Sequence, residues 1–254
     1  MGIVDCYSQN SYGVRQDWGP VGAAAVGAGC ACLVVVDVLS FSTAVSVLVE
    51  RGTRVYPYRW RDEAAAEFAR RNEAALAVGR GAVTAAAPWS LSPAVLRAAP
   101  FTPRLVLPSP NGSAIAAATG GTVPVLAGCL RNATAVGTWL AGRGWGTSEQ
   151  PVAVIAAGER WPDGSLRPAL EDLLGAGAVI SALRQRRRVP LSPEAEMAAL
   201  AFETNADIEA AVRGSASGRE LIEMGFGGDV DVALEWDSAR AVPLSANGVF
   251  AAVE

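Results

Sequence analysis

The sequence predicts an α/β fold, with a mostly parallel sheet or sheets and helices on both faces. Short apolar runs bounded by Gly, Pro or Ser recur along the 254-residue chain, and Ala-rich segments with helical spacing lie between them. Continuous apolar runs are typical of parallel strands buried on both faces, and their alternation with helices is that of βαβ units. With 51% hydrophobic residues, we expect residues 1–254 to form a single domain, or two closely packed halves.

Apolar runs give the clearest predicted strands, at residues 33–36, 55–58, 105–107, 123–126 and 152–156. Helical spacing predicts helices at residues 43–51, 62–72, 113–119, 134–143, 168–188, 193–209 and 218–224. Their starts carry Ser, Thr, Asp or Pro, as helix caps and first turns prefer. The uncharged segment 19–36 is predicted to be a loop and a buried strand rather than a membrane span, because it begins with Gly-Pro and contains several glycines.

The composition excludes several kinds of chemistry. The chain has neither lysine nor histidine, so it has no Walker lysine, Schiff-base lysine, Ser-His-Asp triad or His-ligated zinc. With a net charge of −4, the chain lacks the excess of positive charge that is typical of nucleic-acid-binding proteins. Four cysteines are too few for a disulfide scaffold, and Cys30 and Cys32 are predicted to pack rather than to bind metal. We expect a cytoplasmic protein that binds a small molecule, has no membrane partner and forms a homo-oligomer, with a dimer as the first guess.

Polar residues directly follow the predicted strands, and ligands of open α/β sheets bind at the carboxyl ends of strands. Asp37 ends the strand at 33–36, where a carboxylate can hold Mg²⁺ or act as a nucleophile. Ser42 and Thr43 lie at the start of the next helix, which suits an anion. The alternative is an ordinary helix cap. A haloacid-dehalogenase site is disfavoured, because Leu39 stands where its second acid would be.

Two further loops carry candidate phosphate ligands. After the strand at 105–107, Asn111, Gly112 and Ser113 can present an amide, a backbone N–H and a hydroxyl group to a phosphate. A tight turn with a Ser cap is the alternative. Arg131 and Asn132 follow the strand at 123–126, and there Asn132 can equally be a helix cap.

Acidic residues follow the strand at 152–156. Glu159 and Arg160 come directly after it, and Glu171 and Asp172 lie near the start of the next predicted helix. Their carboxylate oxygens could complete a site for a hard cation such as Mg²⁺, with solvated surface acids as the alternative.

The C-terminal region contains further charged candidates. Arg219, Asp229 and Asp231 could close the site from this side. The glycine-rich segment 225–228 could equally be a helix end followed by a turn.

These segments together resemble the 2-phosphosulfolactate phosphatase (ComB-like) family. The similar segments occur in the order expected for the family over roughly residues 10–235, at 36–39 with Thr43, 109–113, 127–133, 157–160 and 171–177. The resemblance implies an α/β fold and Mg²⁺-dependent hydrolysis of 2-phosphosulfolactate to sulfolactate and phosphate, a step of coenzyme M biosynthesis.

On this resemblance, we expect Asp37 and Glu159 to be catalytic and to bind Mg²⁺ together with Asp172. The remaining candidates would bind the phosphate or the substrate: Ser42, Thr43, Asn111, Gly112, Ser113, Arg131, Asn132 and Arg160. A phosphohydrolase for a sugar or nucleotide phosphate, and a binding module that senses an anionic metabolite, are the alternatives.

The chain departs from the family pattern at three places. Gly79-Arg80 stands where members commonly carry Gly-Glu, Leu91-Ser92-Pro93 replaces Asn-Ser-Pro, and segment 40–43 lacks an expected arginine. An arginine in place of a glutamate inverts the local charge. This leaves open whether the substrate is 2-phosphosulfolactate or another anionic phosphate ester.

Overall fold

The computed structural model describes residues 7–59, 63–118 and 123–253, which form eleven strands and eleven α-helices. The strands are β1 (Val14–Trp18), β2 (Cys32–Val36), β3 (Arg54–Tyr58), β4 (Ala75–Leu76), β5 (Arg104–Pro108), β6 (Val125–Gly128), β7 (Val152–Ala156), β8 (Glu159–Arg160), β9 (Leu166–Arg167), β10 (Pro243–Ala246) and β11 (Val249–Ala252). The helices are α1 (Gly19–Gly27), α2 (Phe41–Glu50), α3 (Glu63–Arg71), α4 (Pro93–Ala98), α5 (Gly112–Ala118), α6 (Ala133–Gly142), α7 (Leu170–Arg186), α8 (Pro193–Glu203), α9 (Ile208–Gly214), α10 (Ala216–Glu223) and α11 (Gly227–Ala233).

Nine strands form one sheet in the order β1-β7-β2-β6-β10-β11-β3-β5-β4. The first four are parallel to one another, and β3, β5 and β4 form a second parallel set. The antiparallel hairpin β10–β11 joins the two sets, because β10 pairs with β6 and β11 pairs with β3. The predicted α/β fold with a mostly parallel sheet is confirmed, and the central hairpin is an addition that the sequence did not indicate.

Helices cover both faces of the sheet, as predicted. Alternate residues of β2 point to opposite faces, as the strand geometry requires. Leu33 and Val35 join the core cluster that contains α1, α2 and α5, whereas Val34 and Val36 join the one that contains α6, α7 and α8. The first of these clusters also takes Leu105 and Leu107 from β5, so both parallel sets share one core.

The buried thiols lie in different parts of the interior. Cys30 belongs to the cluster with α1 and α2, and Cys32 belongs to the cluster on the opposite face. Burial raises the pKa of the Cys30 thiol to about 11. These positions agree with the packing role that we predicted, because both thiols are buried among apolar side chains.

Two sequence predictions of secondary structure are wrong. The single helix at 193–209 is two helices, because Asp207 caps the start of α9 by accepting a hydrogen bond from the Ala210 N–H (2.8 Å). The loop expected from residue 19 is α1, which begins at Gly19 in a left-handed conformation, with Pro20 in its first turn.

The other predicted elements agree in type with the structure, with small shifts at their ends. The predicted helix start at Asp62 and helix end at Thr119 lie outside the described residues. None of the helices in the described ranges combines the length and apolar character needed to cross a membrane.

Candidate active site

A cavity of about 470 Å³ lies where the loops after β2, β3, β5 and β7 meet. Its wall carries both carboxyl and guanidinium groups. The polar residues that line it are Asp37, Ser40, Arg59, Arg80, Ser109, Asn111 and Glu159. Of the predicted site residues, the cavity therefore brings together the carboxyl groups of Asp37 and Glu159 and the amide of Asn111.

The Asp37 carboxyl group ties together the starts of two helices. Its Oδ1 accepts a hydrogen bond from the Phe41 N–H at the start of α2 (2.9 Å), and its Oδ2 accepts one from the Gly112 N–H at the start of α5 (2.9 Å). A Cβ atom at residue 112 would lie 2.9 Å from Asp37 Oδ2 and closer still to the Phe41 ring. Only glycine therefore lets the two loops approach this closely. The Gly112 N–H donates to Asp37 and not into the cavity.

Burial and neighbouring acids disfavour the ionised forms of the two carboxyl groups that line the cavity. Burial raises the pKa of Asp37 to about 6, against the opposing effect of the Phe41 and Gly112 N–H groups. Burial, assisted by the charge of Asp37, raises the pKa of Glu159 to about 7. Asn111 Nδ2 donates to Glu159 Oε2 (2.8 Å), which fixes the position of this carboxyl group.

Asp172 lies behind these two acids and bridges their loops. Its Oδ1 accepts a hydrogen bond from the Val38 N–H (2.7 Å) and its Oδ2 accepts one from the Gly158 N–H (2.8 Å). Burial first, and then the charges of Asp37 and Glu171, hold the pKa of Asp172 well above its usual range. Asp172 therefore connects α7 to the segments that carry Asp37 and Glu159.

The side chains that line the cavity fit Mg²⁺ held by two carboxylates. No group of three or more acidic, histidine or cysteine side chains within residues 7–59, 63–118 and 123–253 has the arrangement of a metal site. Mg²⁺ is often held by one or two carboxylates together with water and substrate phosphate. Asp37 and Glu159 meet that requirement. The third predicted ligand, Asp172, is not among the residues that line the cavity.

Three predicted hydroxyl ligands form hydrogen bonds with the backbone instead of lining the cavity. The Ser42 hydroxyl donates to the Val35 carbonyl (2.9 Å), and the Thr43 hydroxyl donates to the Val38 carbonyl (2.8 Å). The Ser113 hydroxyl donates to the Tyr58 carbonyl (2.8 Å). All three side chains are buried, and their hydroxyl groups bind backbone carbonyls.

Arg131 and Asn132 also have structural partners. Arg131 is buried and forms ion pairs with Glu50 (3.2 Å) and Glu235, and Asn132 Nδ2 donates to the Ala127 carbonyl (3.1 Å). Neither residue lines the cavity. Both residues were predicted to bind the substrate. They do not line the cavity because they bind these acceptors instead, which the sequence does not reveal.

Arg160 lies beside the main cavity. It donates to the Gly164 carbonyl (2.9 Å) and lines a neighbouring cavity of about 400 Å³. The two cavities share Arg59, Asn111 and Glu159. Arg160 therefore lines a cavity that also contains Glu159, but not the one that contains Asp37 and Arg80.

Arg59 and Arg80 are the cavity residues that the sequence reasoning missed. Arg59 directly follows the predicted strand 55–58, so the rule that found Asp37 could also have found it. Arg80 was noticed only as a departure from the family pattern. Its guanidinium group pairs with Asp229, one of the candidate residues from the C-terminal region. The other two C-terminal candidates form surface pairs, Arg219 with Glu223 and Asp231 with Arg213.

A family model described as 2-phosphosulpholactate phosphatase matches residues 24–248. No curated protein matches the chain.

Proposed function

Because the chain belongs to the 2-phosphosulpholactate phosphatase family, we propose that it is a Mg²⁺-dependent phosphatase for a small anionic phosphate monoester. The first candidate substrate is 2-phosphosulfolactate, which would give sulfolactate and inorganic phosphate. The family is one of phosphatases, which hydrolyse phosphoric monoesters.

The observation that carries the proposal is the meeting of two acids and two arginines in one cavity. Asp37 and Glu159 offer the oxygens that Mg²⁺ prefers, and Arg59 and Arg80 offer guanidinium groups that bind tetrahedral anions. Burial raises the pKa values of both acids, and the charge of Asp37 raises that of Glu159 further; a bound cation would favour the ionised forms of both.

In the proposed mechanism, the residues of the cavity act mainly by position and charge. Asp37 and Glu159 would hold Mg²⁺, and a bound ion would supply Lewis-acid stabilisation of the negative charge on the phosphoryl oxygens. Asn111 keeps Glu159 oriented through its amide hydrogen bond. Arg59 donates to phosphoryl oxygens and stabilises charge as the ester bond breaks.

We propose that water, rather than Asp37, attacks the phosphorus atom. A bond forms between the water oxygen and phosphorus as the bond between phosphorus and the ester oxygen breaks; the alcohol leaves with a proton from that water, and inorganic phosphate remains. Asp37 accepts hydrogen bonds from two backbone N–H groups, which stabilise its carboxylate and lower its reactivity as a nucleophile. This supports attack by water. Rapid acid quench after mixing with labelled substrate should give no phosphorylated chain, whereas label that disappears in Asp37→Asn would show covalent attack.

The proposal is tested by measuring phosphate release from a panel of small monoesters, with and without EDTA. Hydrolysis should require Mg²⁺. It should fall roughly 10²- to 10⁴-fold in Asp37→Asn and in Glu159→Gln. Glu67→Gln is the matched control, because the Glu67 side chain is 38% exposed on α3 and pairs with Arg70 and Arg71 of the same helix.

Three results would contradict the proposal. Undiminished activity in EDTA would exclude the metal, and full activity in Asp37→Asn and Glu159→Gln would exclude the site. Thermal stabilisation by phosphate esters without phosphate release would instead favour a binding module. Preference for a sugar or nucleotide phosphate would keep the chemistry and change the substrate.

A further inference from the structure

We infer that Arg80, positioned by Asp229, binds a second anionic group of the substrate, a carboxylate or sulfonate carried on the alcohol. The enzyme would then prefer phosphate esters of hydroxy acids to those of neutral alcohols. This inference rests on the proposed phosphatase function and names the residue that selects the substrate.

One edge of the Arg80 guanidinium group is already bound. Nε donates to Asp229 Oδ2 (2.9 Å), and Nη2 donates to the hydroxyl group of Ser40 (2.8 Å). The Phe226 ring covers one face, with its centroid 5.7 Å from Arg80 Cζ. Among the described residues, Nη1 has no hydrogen-bond partner. Because Arg80 lines the cavity, its outer edge, formed by Nη1 and the second N–H of Nη2, is available to an anion there.

Asp229 holds Arg80 in this orientation from the start of α11. Its side chain is 1% exposed. Its Oδ1 accepts from the Ala94 N–H (3.2 Å) and the Ser92 hydroxyl at the start of α4, so the carboxylate is fixed before it meets the guanidinium group. A buried acid with these partners restricts the arginine to one orientation, and a fixed fork binds an anion at a smaller entropic cost than a mobile one.

The two arginines occupy different parts of the cavity. Arg59 also lines the neighbouring cavity with Asn111 and Glu159, whereas Arg80 is not among the residues that line that cavity and contacts Ser40. A phosphoryl group bound beside Arg59 therefore leaves Arg80 to another part of the substrate. A planar carboxylate or a sulfonate can accept two N–H groups from one guanidinium edge.

The test compares two esters that differ in one group, 2-phospholactate and isopropyl phosphate, in which a methyl group replaces the carboxylate. Wild type should prefer 2-phospholactate in kcat/KM by roughly tenfold or more. Arg80→Gln should remove most of this preference through a higher KM, and Arg80→Lys should restore part of it. An unchanged preference in Arg80→Gln, or a wild type without preference, would overturn the inference.

Asp229→Asn tests the positioning role. It should raise KM for 2-phospholactate with little change in kcat, and the double variant Arg80→Gln/Asp229→Asn should be no worse than Arg80→Gln alone. Additive losses would contradict positioning through Arg80. The matched control is Arg213→Gln. Arg213 pairs with Asp231, which lies on α11 like Asp229 but on its exposed side. If Asp229→Asn does not fold, the two Arg80 variants still test whether Arg80 binds the second anionic group.

A binding measurement separates this inference from the phosphatase proposal. Calorimetric titration with sulfoacetate, which carries no phosphate, should detect binding to wild type. The dissociation constant should increase roughly tenfold in Arg80→Gln and stay unchanged in Arg213→Gln. Equal binding by wild type and Arg80→Gln, or no binding by wild type, would refute the role of Arg80 even if phosphatase activity is confirmed. Binding without phosphatase activity would refute only the proposed reaction.

Discussion

At the scale of single residues, the geometry of the cavity depends on the contact between Asp37 and Gly112. One carboxyl group accepts the first N–H groups of α2 and α5, so the two helix starts are held against each other. The absence of a side chain at residue 112 makes the contact possible. Any change that separates these loops should displace Asp37 from Glu159 and weaken both folding and cation binding.

Gly112→Ala should therefore lower the free energy of unfolding by about 1–3 kcal/mol and reduce phosphatase activity. The added methyl group would overlap the Phe41 ring and the Asp37 carboxyl group. Chemical denaturation and phosphate release measure the two effects. Gly142→Ala is the control, because a Cβ atom there meets nothing within 4 Å and alanine favours the helix. Equal stability and activity of the two variants would disprove the importance of the contact.

The sequence identified the acids and the amide of the cavity correctly as neighbours, although their chemical roles remain predictions. Asp37, Asn111 and Glu159 each follow a strand, and this rule located all three. Ser42 and Asn132 obey the same rule, but their polar groups bind backbone atoms. A sequence shows which polar groups follow a strand; only the folded backbone shows which of them remain free to bind a ligand.

At the scale of elements, the hairpin β10–β11 connects the two parallel sets. Phe250 on β11 is fully buried, pairs with Val55 of β3 and packs against the Phe41 ring, with centroids 6.1 Å apart. The hairpin therefore supports the helix that follows Asp37. It also explains why the sheet was only partly predictable. The βα units alternate locally along the chain, whereas a C-terminal hairpin inserted between β6 and β3 leaves no local pattern.

Phe250→Ala should cost about 3–5 kcal/mol of unfolding free energy, because it leaves a cavity between the two sets. It should also reduce activity, through the loss of support for Phe41. Phe101→Ala is the control, since Phe101 is 59% exposed, and its effect should stay within about 0.5 kcal/mol. Similar midpoints of denaturation for both variants would contradict the connecting role of the hairpin.

At the scale of the whole molecule, the buried acids should make stability depend on pH. Asp37 and Glu159 have higher pKa values in the folded chain, about 6 and 7, than the ordinary 3.8 and 4.5. Their contribution to stability is therefore complete below about pH 4 and is lost as pH rises through 6 and 7. Ion-paired Glu203 and Glu235 have lowered pKa values, so their contributions change only at more acidic pH.

Without Mg²⁺, the free energy of unfolding should fall between pH 5.5 and pH 8, by roughly 2 kcal/mol from Glu159 alone. Glu159→Gln should reduce this fall and be more stable than wild type at pH 8, because the amide removes a buried charge. Added Mg²⁺ should stabilise wild type at pH 8. Denaturant titrations at both pH values test this, and a metal-free chain that is equally stable at both would show that these acids do not carry the repulsion described.

The most direct test of the cation and anion site is a crystal structure of the chain with Mn²⁺ and vanadate, in which anomalous scattering locates the metal. The metal should lie roughly 2 Å from carboxylate oxygens of Asp37 and Glu159, with the vanadate beside Arg59. A metal bound elsewhere, with both carboxyl groups unliganded, would contradict the proposed active site.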